Sequence, residues 1–269
     1  MKTVADRLVE ILLEAGVEVL FGIPSIHNLG LYEALRKTPA IRHILCRHES
    51  TATHMADGYA RETLKFGVMI ASTGPGVGYT VPALEEAMGS SVPLLVIATN
   101  IPSRKIGKGS GTLHEIPGQE AIFRNITKGT FVVRSASDME TRAREALQTA
   151  QTGRPGPVYL EIPTDVFNLE AVPTKFSHGD APLNEAALPN LKRAVALLEK
   201  AERPLILTGT AALRAGLSKE ITALAETLSA PVLFSPGAGG IIPDDHPLAL
   251  GNGARRGVIR ETVAASDLA

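Results

Sequence analysis

A carboxylate set where a strand gives way to a helix is placed for acid–base work, and Glu49 in Arg47-His48-Glu49-Ser50 holds such a position. Open parallel α/β sheets form their ligand crevices at the carboxyl ends of their strands. The first turn of a helix also favours an anion, by about 0.3–1 kcal/mol. Position alone therefore fits two readings equally: a reactive acid, or a carboxylate that merely decorates a helix start. His48 either lines the same pocket or is a strand-end polar residue. A second candidate is Thr73-Gly74-Pro75-Gly76, in which glycine admits close backbone approach and proline fixes a turn. An ordinary strand-to-helix turn has the same composition.

These residues need elements to hold them together. Val4, Leu8, Ile11, Leu12 and Ala15 share one face of a helix over 3–15, which Gly16 stops. Apolar runs at 17–23, 41–46, 66–71, 93–98, 130–133 and 158–162 read as buried strands. Residues 29–36, 50–61, 82–88 and 138–151 read as helices. The alternation predicts an α/β fold, a parallel sheet covered on both faces. Residues 99–129, rich in glycine, form a long loop with one short helix near 120–125. Long loops in compact domains are commonly functional. Residues 172–189 carry three prolines and read as a linker. Beyond them, helices at 191–201 and 216–228 alternate with strands at 204–207 and 231–234. Two strands leave a sheet with an uncovered edge, so this second unit reads as unfinished.

Bulk properties exclude several classes. A net charge of −1 gives no electrostatic pull toward nucleic acid or an anionic membrane. With 44% hydrophobic and 20% charged residues, a packed core is the expectation and disorder is not. Cys46 is the single cysteine, which excludes an intrachain disulfide and a cysteine metal cluster. Its apolar neighbours make it buried filling rather than a nucleophile. His27, His43, His54, His178 and His246 show no metal-ligand spacing, and no metal site is assigned. No apolar run approaches the ~18 residues of a membrane span, and the first residues do not form a signal peptide. The expectation is a soluble, cytoplasmic protein.

The ordered set Phe21-Gly22-Ile23-Pro24, Arg47-His48-Glu49, Ala56-Asp57-Gly58-Tyr59-Ala60-Arg61, Thr73-Gly74-Pro75-Gly76 and Gly153-Arg154-Pro155-Gly156-Pro157-Val158 resembles the acetolactate synthase-like family of thiamine diphosphate enzymes. That family also includes 2-oxo acid decarboxylases. The resemblance implies a pyrimidine-binding domain over 1–170, a linker at 171–188 and a truncated, Rossmann-like central domain over 189–269. It implies that Glu49 hydrogen-bonds the pyrimidine nitrogen N1′. Sharing a proton there favours the imino tautomer, which can deprotonate the thiazolium carbon that attacks a 2-oxo acid. Gly22, Pro24, Thr73, Gly74, Pro75, Gly76 and Tyr79 would line the cofactor. Tyr79 stands where many relatives carry Asn, which puts one polar contact in doubt. Arg154 matches an arginine that contacts FAD in flavin-carrying members; a surface turn residue explains it equally well.

The loop Leu113-His114-Glu115-Ile116-Pro117-Gly118-Gln119 resembles relatives that decarboxylate larger 2-oxo acids, one of them guanidino-bearing. His48, His114, Glu115 and Gln119 are the expected substrate contacts. Glu115 would pair with a cationic tail, and His114 would donate to a carboxylate or relay a proton. Solvated loop residues are the competing explanation. The family holds its diphosphate through Mg2+ on a Gly-Asp-Gly motif in a third domain. No Gly-Asp-Gly occurs in this sequence, and Gly179-Asp180-Ala181 lacks the context. The chain is thus expected to be a fragment, or a subunit completed by a partner, within a homodimer or homotetramer. A non-catalytic fold relative is the alternative.

Overall fold

Strict alternation along short buried strands builds the first sheet. The computed structural model describes residues 1–174, 188–253 and 257–269. Strands β1 (Val19–Gly22), β2 (Arg42–Leu45), β3 (Gly67–Ala71), β4 (Leu94–Asn100), β5 (Gly129–Val132) and β6 (Pro157–Pro163) all pair in parallel. Their spatial order is β2-β1-β3-β4-β6-β5. Val68, Ile70, Leu95, Ile97, Val158 and Leu160 face one core, while Met69, Ala71, Leu94, Val96, Ala98 and Tyr159 face the other. Side chains two apart share a face, so β3, β4 and β6 each feed both cores.

Helices α1 (Val4–Glu14), α2 (Leu29–Arg36) and α6 (Ala136–Gln151) cover the first core with Leu8, Leu12, Leu31 and Leu147. Helices α3 (Glu49–Thr63) and α5 (Val81–Gly89) cover the second. Ala52, Ala56 and Ala60 put a stripe of small residues along α3, so the helix sits close on the sheet. A Cβ on Gly67 would lie 2.3 Å from the Ala56 carbonyl oxygen. The close seat of α3 fixes where its first residue, Glu49, emerges.

The chain steps outward from β1 to β2, then crosses back over β1 to β3. Strand order therefore reverses between β1 and β3, the place where open α/β sheets carry a crevice at their carboxyl ends. Gly22 ends β1 and Ala71 ends β3, with Gly22 opposite Ile70.

At the other flank of the first core, Glu140 of α6 is 3% exposed. Arg7 meets its two oxygens at 2.6 and 3.3 Å, and Arg144 Nε donates at 3.0 Å. The Arg7 guanidinium, against the opposing effect of burial, holds the Glu140 pKa at about 2.

The chain divides into two compact units, Met1–Gly179 and Asp180–Ala269. Most of the expected linker, with His178 and Gly179-Asp180-Ala181, lies outside the described residues. In the second unit β7 (Ile206–Thr208), β8 (Val232–Phe234) and β9 (Ala249–Gly251) form a parallel sheet in the order β7-β8-β9. Helices α7 (Leu188–Leu198), α8 (Thr210–Arg214), α9 (Ser218–Leu228) and α10 (Gly257–Ala265) accompany it. Sequence reading expects two strands here; the third, β9, is only three residues long and has no β-branched residue to announce it. Helix α4 (Pro75–Gly78) likewise replaces an expected loop, because Pro75 at its first position needs no N–H partner. Among the described residues, no helix is long and apolar enough to cross a membrane.

Candidate functional site

Three connections converge on the crevice between β1 and β3. The first leaves β1 at Gly22 and is held by its own side chains. Asn28, fully buried, accepts from the Ser25 N–H at 2.7 Å and donates to the Ile23 carbonyl at 3.0 Å. This folds His27 inward, where it is 9% exposed and its Nδ1 lies 3.3 Å from Ser72 Oγ.

The second connection runs from β2 into α3. His48 caps the helix, its Nδ1 accepting from the Ser50 N–H at 3.2 Å. Accepting there places the proton of a neutral ring on Nε2. Glu49 follows as the first helical residue and is half-buried. Among the described residues no donor reaches its carboxylate, although the helix start suits its charge.

The third connection is Ser72–Gly76, after β3. Gly74 has φ of 71°, in the left-handed region, and a Cβ there would lie 2.7 Å from both Cβ and the carbonyl oxygen of His114. The chain around His114 therefore packs directly on this loop. A Cβ on Gly76 would lie 3.2 Å from Glu49 Oε1 and from Ser72 Cβ. The Gly-Pro-Gly loop thus presents bare backbone to the open carboxylate.

Behind the loop stands a buried polar chain. Gln119 is 1% exposed; its amide oxygen accepts from the Thr73 hydroxyl at 2.7 Å and the Gly74 N–H at 2.8 Å. Its amide nitrogen lies 2.9 Å from the Thr99 carbonyl, 2.9 Å from Tyr159 Oη and 3.0 Å from Glu161 Oε2. Tyr159 Oη donates to the same Glu161 oxygen at 2.7 Å, and Asn100 Nδ2 donates to the other at 2.6 Å.

Of the residues picked from sequence, Glu49, Gly22, Thr73, Gly74, Gly76 and His114 come together here, and Pro24 and Pro75 stand exposed on the connecting loops. Tyr79 is 51% exposed, its ring 4.7 Å from that of His48. Glu115 accepts from the N–H groups of Gly109 and Thr112, so one role of its carboxylate is to hold its own loop. Gln119 is close to the site, but its polar atoms are committed to protein partners. Arg154 is elsewhere: it precedes β6, at the amino end of the sheet. There it donates to Ser91 Oγ at 2.6 Å and to the Met88 and Gly89 carbonyls that end α5. Tyr79 and Arg154 were read as loop contacts; what sequence could not supply is which end of the sheet each loop faces.

Sequence reasoning missed His27 and Ser72. The His27 ring lies tilted against that of His114, with centroids 5.2 Å apart. Burial, and then the nearby His114 ring, hold its pKa below the ordinary imidazole value. The available signal was positional: both residues, like Glu49, follow the carboxyl end of a strand. Among the described residues no three His, Cys, Asp or Glu side chains are grouped to hold a metal ion. A cavity of about 550 Å³ opens beside β5, lined in part by Arg124, Phe131 and Arg134; Glu49 does not line it.

Two family profiles match this chain: the N-terminal TPP-binding domain of thiamine pyrophosphate enzymes over residues 2–122, and their central domain over 191–269. The chain is 38% identical over 255 residues to a Probable 2-ketoarginine decarboxylase of Pseudomonas aeruginosa, covering 93% of this chain and 44% of that protein. It is 36% identical over 254 residues to a Probable acetolactate synthase large subunit of Methanococcus aeolicus, covering 92% and 42%. It is 35% identical over 265 residues to an acetolactate synthase large subunit of Corynebacterium glutamicum, covering 96% and 41%. The chain therefore spans less than half the length of these curated relatives.

Proposed function

We propose, because this chain belongs to the acetolactate synthase-like family of thiamine pyrophosphate enzymes, that it supplies the pyrimidine-activating part of an enzyme acting on 2-oxo acids. The carrying observation is the half-buried Glu49 carboxylate, reached by no donor of the described chain and packed against the bare backbone of Gly76. An open acid beside a flat backbone wall suits a planar ring with a nitrogen that can share a proton. Thiamine diphosphate, when bound, supplies a carbon nucleophile and an electron sink for the bond that breaks.

The chain's own residues then have distinct tasks. Glu49 holds the proton at the ring nitrogen N1′. Gly74, Pro75 and Gly76 set the wall against which the ring lies, with Gly22, Pro24 and Thr73 around it. Tyr79 flanks His48 at the outer rim. His27 and His114, with ring centroids 5.2 Å apart, can hold or pass a proton on the substrate side. Diphosphate and Mg2+ belong to a further domain, on a longer form of this chain or on a partner subunit, and the completed enzyme is a homodimer or homotetramer in this reading. A FAD contact in this reading falls to the exposed Arg154, which also donates to Ser91 and to the end of α5. A cytoplasmic location goes with this reading and with the free thiol of Cys46.

The substrate reading is a 2-oxo acid, with decarboxylation of a larger, basic one as the alternative to acetolactate synthesis. Glu115, half-buried beside His114, favours the basic substrate, and the 38% identical relative carries that activity in its name. The experiment is product analysis of the completed assembly, meaning this chain together with whatever carries the diphosphate-binding domain. It is run with pyruvate and with a guanidino-bearing 2-oxo acid. Carbon dioxide and an aldehyde from the basic acid support decarboxylation, and acetolactate from pyruvate supports synthesis. No thiamine diphosphate-dependent product from either sinks the reading.

A further inference from the structure

A buried carboxylate normally answers a cation, as Glu140 does. Glu161, on β6 and 1% exposed, is answered only by neutral donors: the Asn100 amide, the Tyr159 hydroxyl and the Gln119 amide. This arrangement has a directional consequence. The Gly74 N–H can only donate and the Thr99 carbonyl can only accept, so the Gln119 amide must turn its nitrogen toward Thr99 and Glu161. Its oxygen is then aimed the opposite way, onto the Thr73 hydroxyl and the Gly74 N–H. Thr73 is further fixed through its own N–H, which donates to Thr99 Oγ1 at 2.9 Å. Three residues on from Thr73, Gly76 lies against Glu49. A continuous buried chain therefore runs from β6, through one side-chain amide, to the loop that backs the open acid.

We propose that Gln119 is a positioning residue, oriented by Glu161 and Tyr159, that latches the Gly-Pro-Gly loop at the spacing Glu49 requires. It touches neither substrate nor cofactor. The inference rests on the reading of Glu49 above in one respect only, that this loop is the wall of the reactive site. Replacing the amide by an acid, Gln119→Glu, sets two carboxylates face to face and removes the donor to Tyr159 and Thr99. Glu161→Gln replaces one of the two acceptor oxygens by a donor, so the Asn100 and Gln119 amides no longer both find an acceptor there. The reciprocal pair, Gln119→Glu with Glu161→Gln, exchanges donor and acceptor across the same contact while keeping an acceptor facing Gly74.

The test measures amide hydrogen exchange and steady-state kinetics on the completed assembly. In Gln119→Glu the Gly74 and Gly76 amides should exchange at least about tenfold faster while Val96 in β4 keeps its protection. The kcat should fall about tenfold or more with KM changed less than about twofold, as for a misplaced group rather than a lost binding contact. The reciprocal pair should recover both to within about threefold of the natural protein, since the two changes act on one contact. Loop exchange that is unchanged in Gln119→Glu, or that rises equally in β4, overturns the latch. So does a reciprocal pair no better than the poorer single variant. Exchange is read without turnover, so its failure removes the latch alone. Full turnover by Glu49→Gln would remove the functional reading instead.

Discussion

Glu49 and Glu140 both sit on helices packed against the same sheet, yet the chain treats them oppositely. Glu140 is closed in and met by Arg7 and Arg144, with the Thr174 N–H also donating to it. Glu49 is half-buried at the switch point and met by no donor of the described chain, its Oε1 packed against Gly76. A saturated carboxylate stabilises a fold, whereas an unanswered one at a crevice waits for a ligand. What answers an acid, more than where its residue falls on a helix, separates the two roles.

The contrast breaks most sharply at Glu49. Glu49→Gln in the completed assembly should lower turnover of a 2-oxo acid by about 10²–10⁴-fold, the usual worth of a positioned acid–base group. Thermal stability should barely move, because the substitution removes no protein contact. Next in size is Gly76→Ala. Its new Cβ, 3.2 Å from Glu49 Oε1, should cost about tenfold in turnover by shifting the acid or the ring, checked by steady-state kinetics. Glycine at 76 tests the wall as Glu49→Gln tests the acid.

Arg7→Met addresses the other side of the comparison. Loss of the paired bonds to Glu140, with Arg144 still present, should cost about 2 kcal/mol in denaturant unfolding. Turnover per folded molecule should be unchanged. The pH dependence follows from the depressed Glu140 pKa. With a folded value of about 2 and an ordinary value of 4.5, its contribution is complete above pH 4.5 and is lost as pH falls from there toward 2. Melting temperature should therefore fall below about pH 4.5, and Glu140→Gln, less stable at neutral pH, should show a shallower acid slope. The smallest effect belongs to Glu115→Gln. If Glu115 meets a cationic tail, discrimination between basic and neutral 2-oxo acids should narrow by about tenfold or less. Unchanged discrimination would assign its carboxylate to the Gly109 and Thr112 amides alone.

Much of this was legible in the residues. The parallel sheet follows from apolar runs such as 93–98 alternating with helical patterns, and each run appears as a strand or its larger part. Glu49 and the Gly-Pro-Gly loop were legible because their residue types are demanding at those places. Gln119 was legible as important but not in its role: facing a substrate or propping a loop depends on Glu161, 42 residues away. The place of Arg154 was not legible for a similar reason, since only the sheet's direction reveals that it lies at the end opposite Glu49. His27 was overlooked because it was weighed as a metal ligand, while its burial arises from Asn28 folding the loop inward. Strand β9 carries too few residues for any periodicity to register.

The central claim concerns one proton, and nitrogen NMR reads it directly. Thiamine diphosphate labelled with 15N at N1′ is bound to the completed assembly, and its shift is compared between the natural protein and Glu49→Gln. The account predicts a shift moved toward the protonated nitrogen in the natural protein and a return to the free, unprotonated value in the variant. An N1′ shift identical in the two proteins, with the cofactor bound in both, would contradict it.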